Sequence, residues 1–335
     1  MSSGSIHNAL PRIVVCKDLG PAMPLLTDRE DIEVVRWTQN CRCDRNWLLQ
    51  NIVGASRSGV IICFQDIVNR ELVDAAGPNL RVVSTISVGY EHIDLQLTAE
   101  RRIQVGYTPD ILTNAVADFS LMLALMASRN TGQSFRFVQN NQWPNFNWTP
   151  FAFCGPQLST TISTPTRTVG FLGFGRISQA ILARMIPFGI TDCIYTGHLD
   201  TLARQSDVLF ILAPGGEETR HLVNEAFLRK MQPTSVLVNN GRGSLVDSDA
   251  LVRALQEGWI WGAELDVIEG EPNITTEHSL VREPRCIVLP HIGSATSETR
   301  SEMATLTAQN ALAGVFHKPL LAALNVTDRT TSYAS

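Results

Sequence analysis

The sequence has few features that would direct the protein to a nucleic acid or a membrane. Its 335 residues include 27 Lys and Arg and 32 Asp and Glu, giving a formal net charge of -5 without long blocks of one sign. Such a chain has no basic footprint for a phosphate backbone or an anionic lipid surface. The most apolar stretch, residues 115–127, is interrupted by Asp118 and Ser120 and falls short of the roughly 20 residues that a bilayer requires. We expect a buried helix there, and a small molecule as the ligand.

The cysteines do not form a pattern typical of a disulfide framework or a zinc site. They number seven and are scattered, and Cys41 and Cys43 have no second pair nearby to complete a metal site. Reduced thiols in a reducing compartment are the expected state. The first residues also lack the basic-then-apolar plan of a signal peptide. We therefore expect a cytoplasmic protein that holds no metal.

Short β-branched runs recur along the chain and alternate with segments of helical period. The runs predict strands at residues 12–16, 59–64, 80–86, 168–172, 207–212, 235–239, 263–267 and 286–289. Leu251, Val252 and Leu255, closed by Gly258, are typical of the helices between them. Alternation of this kind predicts parallel sheets covered on both faces, the α/β class.

A glycine turn lies near the middle of the chain, where residues 168–182 read TVGFLGFGRISQAIL. Gly173 permits a tight turn, and Gly175 lets the backbone approach a pyrophosphate, whose charge would meet free N–H groups at the start of a helix. Ser178 stands where a third glycine is usual. A strand before the turn and a helix after it, with Ile177 on its apolar face, favour a dinucleotide-binding site.

The position of this turn predicts two domains. Long helix-like segments near residues 108–130 and 297–315 flank the glycine-turn unit. We expect a substrate domain of residues 1–109 and 299–335, and a dinucleotide-binding domain of residues 110–298 inserted between its two parts. The turn would then begin its own domain, as such turns do.

The end of the second strand after the turn bears on the type of coenzyme. An acidic residue about 20 positions beyond the glycines usually holds the ribose 2′-hydroxyl of NAD. Here the strand ends at Ile194, Tyr195 and Thr196, and Gly197 and His198 follow without an acid. This favours NADP(H) over NAD(H). His198 either faces a 2′-phosphate or is an ordinary surface histidine.

Three ionisable residues follow three predicted strands. Arg242, Glu271 and His291 each come shortly after a β-branched run, and the carboxyl ends of parallel strands share one edge of the sheet. Each has an ordinary alternative as a solvated or backbone-paired loop residue. Beside a nicotinamide they have a use: histidine titrates near neutral pH and serves as acid or base, a carboxylate favours its protonated form, and arginine grips a substrate carboxylate. Asp266 would accept a hydrogen bond from the nicotinamide amide.

The segments VNNGRGSLVDSDALVRAL, GAELDVIEGEP and LPHIGSAT resemble the arginine, glutamate and histidine motifs of the D-2-hydroxyacid dehydrogenase family. The similarity runs almost end to end. STISVGYEHIDL, VGYTPDILTNAVAD and NNQWPNFNWTPFAFCG are most similar to the members that reduce glyoxylate and hydroxypyruvate. The resemblance implies a Rossmann-type coenzyme domain inserted into a flavodoxin-like substrate domain, catalytic Arg242, Glu271 and His291, and NADP as coenzyme, with NAD possible.

The same resemblance implies the remaining site positions and a partner. Substrate contacts would come from Val88 and Gly89 through backbone N–H groups, and from Trp148 and Ser294. The coenzyme positions it implies are Gly173, Gly175, Arg176, Ile177, Gly197, His198, Pro214, Asp266 and Gly293. It also implies a homodimer built through the coenzyme domains, in which Trp148 reaches the partner's substrate pocket. The segment between Trp143 and Trp148 is longer than the family pattern, so a core or interface aromatic is the alternative for Trp148.

Three positions depart from the family pattern. Family members usually have a further strand and helix after the second strand of the coenzyme domain. Here only nine residues, 199–207, follow His198 up to and including Asp207, where the next predicted strand begins. Those residues suffice for about two turns of helix, whereas a parallel crossover takes about a dozen residues or more. We expect an incomplete or rebuilt adenosine pocket. Gly241 replaces a common serine or alanine, and Glu264 replaces a small residue in its strand; if it faces inward, it must be paired or protonated.

Three functions therefore stay open. The first is an NADPH-preferring reductase of glyoxylate and hydroxypyruvate, with another 2-keto acid or NADH as the near alternative. The second is a non-catalytic dinucleotide-sensing protein, since the C-terminal-binding-protein corepressors resemble this family. The third is a homologue whose coenzyme binding is impaired by the shortened region 198–207. The presence of all three catalytic positions favours the enzyme.

Overall fold

The computed structural model describes residues 10–53, 56–195 and 198–324. The strands are β1 (Arg12–Val15), β2 (Glu33–Arg36), β3 (Ser58–Ile62), β4 (Leu80–Thr85), β5 (Gln104–Gly106), β6 (Thr168–Leu172), β7 (Asp192–Tyr195), β8 (Val208–Ile211), β9 (Val236–Asn239), β10 (Gly262–Leu265), β11 (Cys286–Val288) and β12 (Ala323–Leu324). The α-helices are α1 (Pro24–Thr27), α2 (Arg45–Asn51), α3 (Arg70–Ala76), α4 (Leu95–Glu100), α5 (Thr113–Ser128), α6 (Thr131–Gln139), α7 (Arg176–Met185), α8 (Leu199–Gln205), α9 (Glu225–Leu228), α10 (Ser248–Gln256), α11 (Ser279–Arg282) and α12 (Ser297–Val315). The chain divides into two compact units, Met1–Leu112 with Thr296–Ser335, and Thr113–Ala295.

The first unit is a parallel sheet with apolar clusters on both faces. Its strand order is β12-β5-β4-β3-β1-β2, and only β12 runs antiparallel to its neighbour. The order β2-β1-β3-β4-β5 is that of flavodoxin-like sheets. Successive residues of β1 point to opposite faces, so that Val14 joins one cluster while Ile13 joins another that includes Ala308 of α12.

The second unit carries a fully parallel sheet in the order β11-β10-β9-β8-β6-β7. On one face Phe171 and Phe210 stack 5.5 Å apart, in a cluster with Ala124 of α5. The other face packs Leu209 and Leu251 of α10 into a second cluster. Two sheets, parallel throughout except for β12 and each covered on both faces, confirm the predicted α/β class.

The connection between β7 and β8 is short, as the length of the sequence predicts. Between Tyr195 and Val208 the described residues form the single helix α8, which begins after His198. Strand β7 pairs with β6 and, in the part of the chain that the structure describes, lies at the edge of the sheet. An outer strand of the usual dinucleotide-binding order is therefore not built from residues 198–207.

The sequence patterns were incomplete in two respects. Strands β2, β5 and β12 were not predicted: they are two to four residues long, and β2 begins and ends with charged residues. Helix α5 forms as predicted, but Met122 and Leu125 are 41% and 39% exposed, so that the helix is not buried on all sides. Within residues 10–53, 56–195 and 198–324, no helix combines the length and the apolar character needed to cross a bilayer.

Candidate active site

The glycine turn has the geometry that a dinucleotide phosphate requires. Gly173 has φ +94°, and a Cβ atom there would lie 2.6 Å from the backbone nitrogen of Ala213. The Ser178 hydroxyl donates to the Gly173 carbonyl over 2.7 Å, so serine closes the turn in place of a third glycine. Gly175 caps α7 without a side-chain acceptor, and the space beside its Cα is open. The turn leaves room for a pyrophosphate at a helix N-terminus.

Aromatic rings flank this turn on the β7 side. Phe174 and Tyr195 stack with ring centroids 4.3 Å apart, and Tyr195 stays half exposed. His198 is exposed at the start of α8, whereas Gly197 lies outside the described residues. In α8, Asp200 pairs with Arg204 at 2.9 Å and with Lys230 at 2.8 Å. These two cations near the shortened crossover are thus held by a carboxylate.

The three predicted catalytic residues follow three adjacent strands. Arg242 comes after β9, Glu271 after β10 and His291 after β11, at the carboxyl edge of one parallel sheet. Nδ1 of His291 lies 3.1 Å from Oε1 of Glu271, and both side chains are partly buried. With Nδ1 donating to the carboxylate oxygen, Nε2 is the ring nitrogen that can exchange a proton with a substrate.

A buried asparagine shapes the turn that carries Arg242. The Asn239 side chain donates to the Arg242 carbonyl over 3.0 Å and accepts from the Gly241 nitrogen at 3.1 Å. Arg242 Nη1 donates to the Gly241 carbonyl at 2.7 Å. A Cβ on Gly215, next to the predicted Pro214, would lie 3.0 Å from Cγ of Arg242. The loop after β8 thus borders the arginine.

Asp266 anchors the loop that carries His291. Its buried carboxylate accepts from the backbone nitrogens of Ile292 at 2.7 Å and Gly293 at 2.9 Å. Burial raises the pKa of Asp266, although these two backbone donors act in the opposite direction. A Cβ on Gly293 would lie 2.9 Å from the same carboxylate. The predicted contact of Asp266 with a nicotinamide amide stays a prediction.

Glu264 faces the interior, which is the case in which the sequence requires it to be paired or protonated. The residue is 2% exposed, and its Oε2 has no hydrogen-bond partner in the part of the chain that the structure describes. Burial raises the pKa of Glu264 to about 9, and the charge of Arg136 only partly offsets this. The carboxyl group is therefore protonated near neutral pH.

The remaining predicted positions lie on loops. In the first unit, Val88 and Gly89 follow β4 and are partly buried. In the second, Ser294 is partly buried, and the exposed Pro214 accepts from the Thr219 hydroxyl at 2.9 Å. Trp148 is 73% exposed, which excludes a core position within its own unit.

Three ionisable residues near Glu271 were not predicted. His221 Nε2 lies 2.9 Å from Oε2 of Glu269, and Arg220 pairs with the other oxygen of that carboxylate. Glu269 stands two residues before Glu271, and this spacing was the only signal in the sequence. His221 lies far away along the chain, so the contact depends on the fold.

Comparison with known proteins identifies the family to which the chain belongs. A family model described as the NAD-binding domain of D-isomer-specific 2-hydroxyacid dehydrogenases matches residues 121–293. The chain belongs to this dehydrogenase family. A glyoxylate reductase of Thermofilum pendens is 37% identical over 322 residues, 91% of each chain. A human glyoxylate reductase/hydroxypyruvate reductase is 37% identical over 306 residues, 87% of this chain and 90% of the relative.

A solved structure of a similarly named reductase has the same fold as this dehydrogenase. The NADPH-dependent glyoxylate/hydroxypyruvate reductase of Sinorhizobium meliloti, in complex with NADP and malonate, superposes with a TM-score of 0.77 at 33% identity. The match covers 94% of this chain and 96% of that one. The family resemblance inferred from the arginine, glutamate and histidine motifs is confirmed.

Proposed function

We propose that this dehydrogenase reduces glyoxylate and hydroxypyruvate to the D-2-hydroxy acids, with NADPH preferred and NADH accepted. The observation that carries the proposal is the hydrogen bond from His291 to Glu271, on the sheet edge that also carries Arg242 and the glycine turn. Relatives and a structural neighbour named as reductases of these two acids support the choice of substrate. The reverse oxidation would use the same groups.

Each catalytic side chain has a separate task. When bound, the nicotinamide supplies a hydride to C2 of the keto acid. His291 gives a proton from Nε2 to the carbonyl oxygen, while Glu271 accepts from Nδ1 and fixes the orientation of the ring. The guanidinium of Arg242 holds the substrate carboxylate or the developing oxyanion. Backbone N–H groups of Val88 and Gly89 would take the carboxylate as well.

Residues around the glycine turn would hold the coenzyme. The open space at Gly175 and the uncapped start of α7 fit a pyrophosphate, with Arg176 and Ile177 in the first turn of the helix. Asp266 and Gly293 would border the nicotinamide, and Pro214 and His198 the remainder of the dinucleotide. We assign residues 110–298 to this coenzyme domain, and residues 1–109 with 299–335 to the substrate domain.

We also propose a homodimer built through the coenzyme domains and acting in the cytoplasm. Support comes from large apolar side chains that are exposed on α6 and the following loop: Phe135, Val138, Trp143, Trp148 and Phe151. Monomeric proteins rarely expose so many large apolar groups in one segment. All seven cysteines are free thiols, in keeping with a reducing compartment. Sedimentation velocity tests the dimer, and Trp148→Ala should raise KM if the tryptophan reaches the partner's pocket.

The central test is steady-state oxidation of NADPH and NADH by the purified protein, with hydroxypyruvate and glyoxylate as substrates. His291→Gln should lower kcat by roughly 10²–10⁴-fold, the usual contribution of a positioned acid or base. Glu218→Gln, which neutralises an exposed carboxylate, is the matched control and should leave kcat unchanged. Equal turnover by the parent and His291→Gln would overturn the mechanism.

The same experiment separates the reductase from the alternatives. Calorimetric binding of NADPH without turnover of any 2-keto acid would favour a dinucleotide sensor. A folded protein that neither binds nor oxidises NADPH would mean that the shortened crossover prevents coenzyme binding. Turnover excludes both.

A further inference from the structure

An ionic cluster is centred on Glu269, two residues before Glu271 of the catalytic pair. Glu269 accepts from His221 Nε2 at 2.9 Å through one oxygen, and its other oxygen pairs with Arg220. Because both carboxylate oxygens are engaged by cationic or polar donors, the Glu269 side chain has one defined orientation. His221 itself has φ +51°, a left-handed conformation that costs free energy in a non-glycine residue. The surrounding contacts must therefore hold this histidine in place.

The cluster ties together the two loops that carry Arg242 and Glu271. The backbone nitrogen of His221 donates to the Ser244 carbonyl at 2.8 Å, two residues beyond Arg242. A Cβ on Gly243 would overlap the backbone carbon of Ile268 and the nitrogen of Glu269. The loop after β9 and the loop after β10 are thus in direct backbone contact. The contacts of Glu269 with Arg220 and His221 add a side-chain link between these loops, because the backbone of His221 bonds the loop after β9.

Glu271 depends on the same turn. Its backbone nitrogen donates to the Ile268 carbonyl at 3.3 Å, and its Oε2 accepts from the Ile268 nitrogen at 3.3 Å. Its other oxygen faces His291. A shift of residues 268–271 would therefore move the carboxylate away from the imidazole. Glu269 lies in the same turn, and its side chain links the turn to His221 and Arg220.

We propose that Glu269, held by His221 and Arg220, is a positioning residue that orients Glu271 toward His291. This inference rests on the function proposed above, in which Glu271 and His291 act as a catalytic pair. Glu269 does not touch the substrate and acts through Glu271. A displacement of about 1 Å at a catalytic group can cost on the order of 10²-fold in rate.

Kinetics of substituted enzymes test this role. Glu269→Gln should lower kcat for hydroxypyruvate by roughly 10-fold to 100-fold and change KM little, because the Arg242 turn keeps its hydrogen bonds to Asn239. Glu269→Asp should recover part of the loss. Glu225→Gln removes a carboxylate that likewise pairs with two cationic side chains, Arg229 and Arg253, and should leave kcat unchanged.

A second substitution distinguishes positioning from a general structural effect. In a Glu271→Gln background, Glu269→Gln should have no further effect on kcat, since residues that act through one another are not additive. A full and independent loss in that background would overturn the proposal. So would a kcat for folded Glu269→Gln within about twofold of the parent, far below the expected loss.

A spectroscopic measurement keeps the inference testable without turnover. With ¹⁵N-labelled histidine, the Nδ1 proton of His291, assigned through its absence in His291→Gln, should resonate downfield because a carboxylate accepts it. Glu269→Gln and His221→Asn should both move this resonance upfield, whereas Glu225→Gln should not. An unchanged resonance in folded Glu269→Gln and His221→Asn refutes the positioning role. Absence of 2-keto acid reduction in the parent, with the resonance shifting as expected, would instead refute only the proposed function.

Discussion

Replacing Glu264 with glutamine should stabilise the second unit at alkaline pH. Glu264 lies in the middle of β10, opposite Val238 of β9 and Ile287 of β11, on the sheet face that α5 covers. Its Oε2 finds no hydrogen-bond partner among the described residues, and burial raises its pKa from 4.5 to about 9. The folded chain therefore keeps a proton there that the unfolded chain releases above pH 4.5.

The sign and size of the effect follow from this difference in proton binding. Because the folded state binds the extra proton, stability falls as pH rises from about 4.5 to about 9. Each pH unit in that window costs at most about 1.4 kcal/mol. At pH 7 the need to keep Glu264 protonated in the folded state lowers the free energy of unfolding by about 3 kcal/mol. Between pH 5 and pH 8 the free energy of unfolding falls by about 4 kcal/mol. Glutamine keeps nearly the shape of the protonated acid and has no such dependence.

Thermal unfolding followed by circular dichroism from pH 5 to pH 8.5 measures the difference. Glu264→Gln should match the parent near pH 5 and exceed its melting temperature by roughly 6 °C or more at pH 8, at about 2–4 °C per kcal/mol for units of this size. The exposed Glu218→Gln should follow the parent at every pH. Parallel pH curves for the parent and Glu264→Gln would show that Glu264 is ionised or paired in solution, and the reasoning would be wrong.

Three further outcomes follow from the site. Arg242→Lys should raise KM for hydroxypyruvate roughly tenfold, because an ammonium group cannot grip a carboxylate at two points; steady-state kinetics measure it. Asp266→Asn should lower the melting temperature and kcat together, since one of two backbone N–H groups loses its acceptor at a cost of about 1–3 kcal/mol. The values of kcat/KM for NADPH and NADH should differ by no more than about tenfold, because Asp200 pairs with Arg204 and Lys230, the two cations near the shortened crossover. Such a ratio is less than the preference that one charge-assisted hydrogen bond to a 2′-phosphate provides. A hundredfold preference for NADPH would contradict this.

The sequence predicted the elements whose side chains are buried on both faces. All eight β-branched runs became strands, because a parallel sheet covered by helices needs continuous apolar residues. Strand β2 was not predicted because Glu33 and Arg36 are exposed at the edge of its sheet, where a strand does not need a continuous run of apolar residues. Strands β5 and β12 are too short to give a pattern.

The residues of the candidate site also fall into a part whose position was predictable and a part that was not. Arg242, Glu271 and His291 were predictable because each follows a strand, and parallel topology brings strand ends to one edge. The contact between His221 and Glu269 joins residues 48 positions apart, through a loop that no periodicity describes. Asn239 was read only as the end of a strand, although its amide holds the turn that carries Arg242. Such contacts depend on loop conformation, which composition and period do not determine.

The order of strands explains why a shortened crossover is compatible with a complete catalytic edge. Strand β7, at which the usual outer strand would pair, is separated from β9 by β6 and β8. At about 4.8 Å per strand, β7 lies about 19 Å from β10, where Glu271 is held. The hydrogen bonds described above for Glu271, His291 and the Arg242 turn lie in β9 and in the loops that follow β9, β10 and β11. In the proposed mechanism, loss of the outer strand would therefore affect the adenosine end of the coenzyme site and leave the supports of Glu271 and His291 in place, so that coenzyme selectivity and catalytic rate should vary independently in this chain.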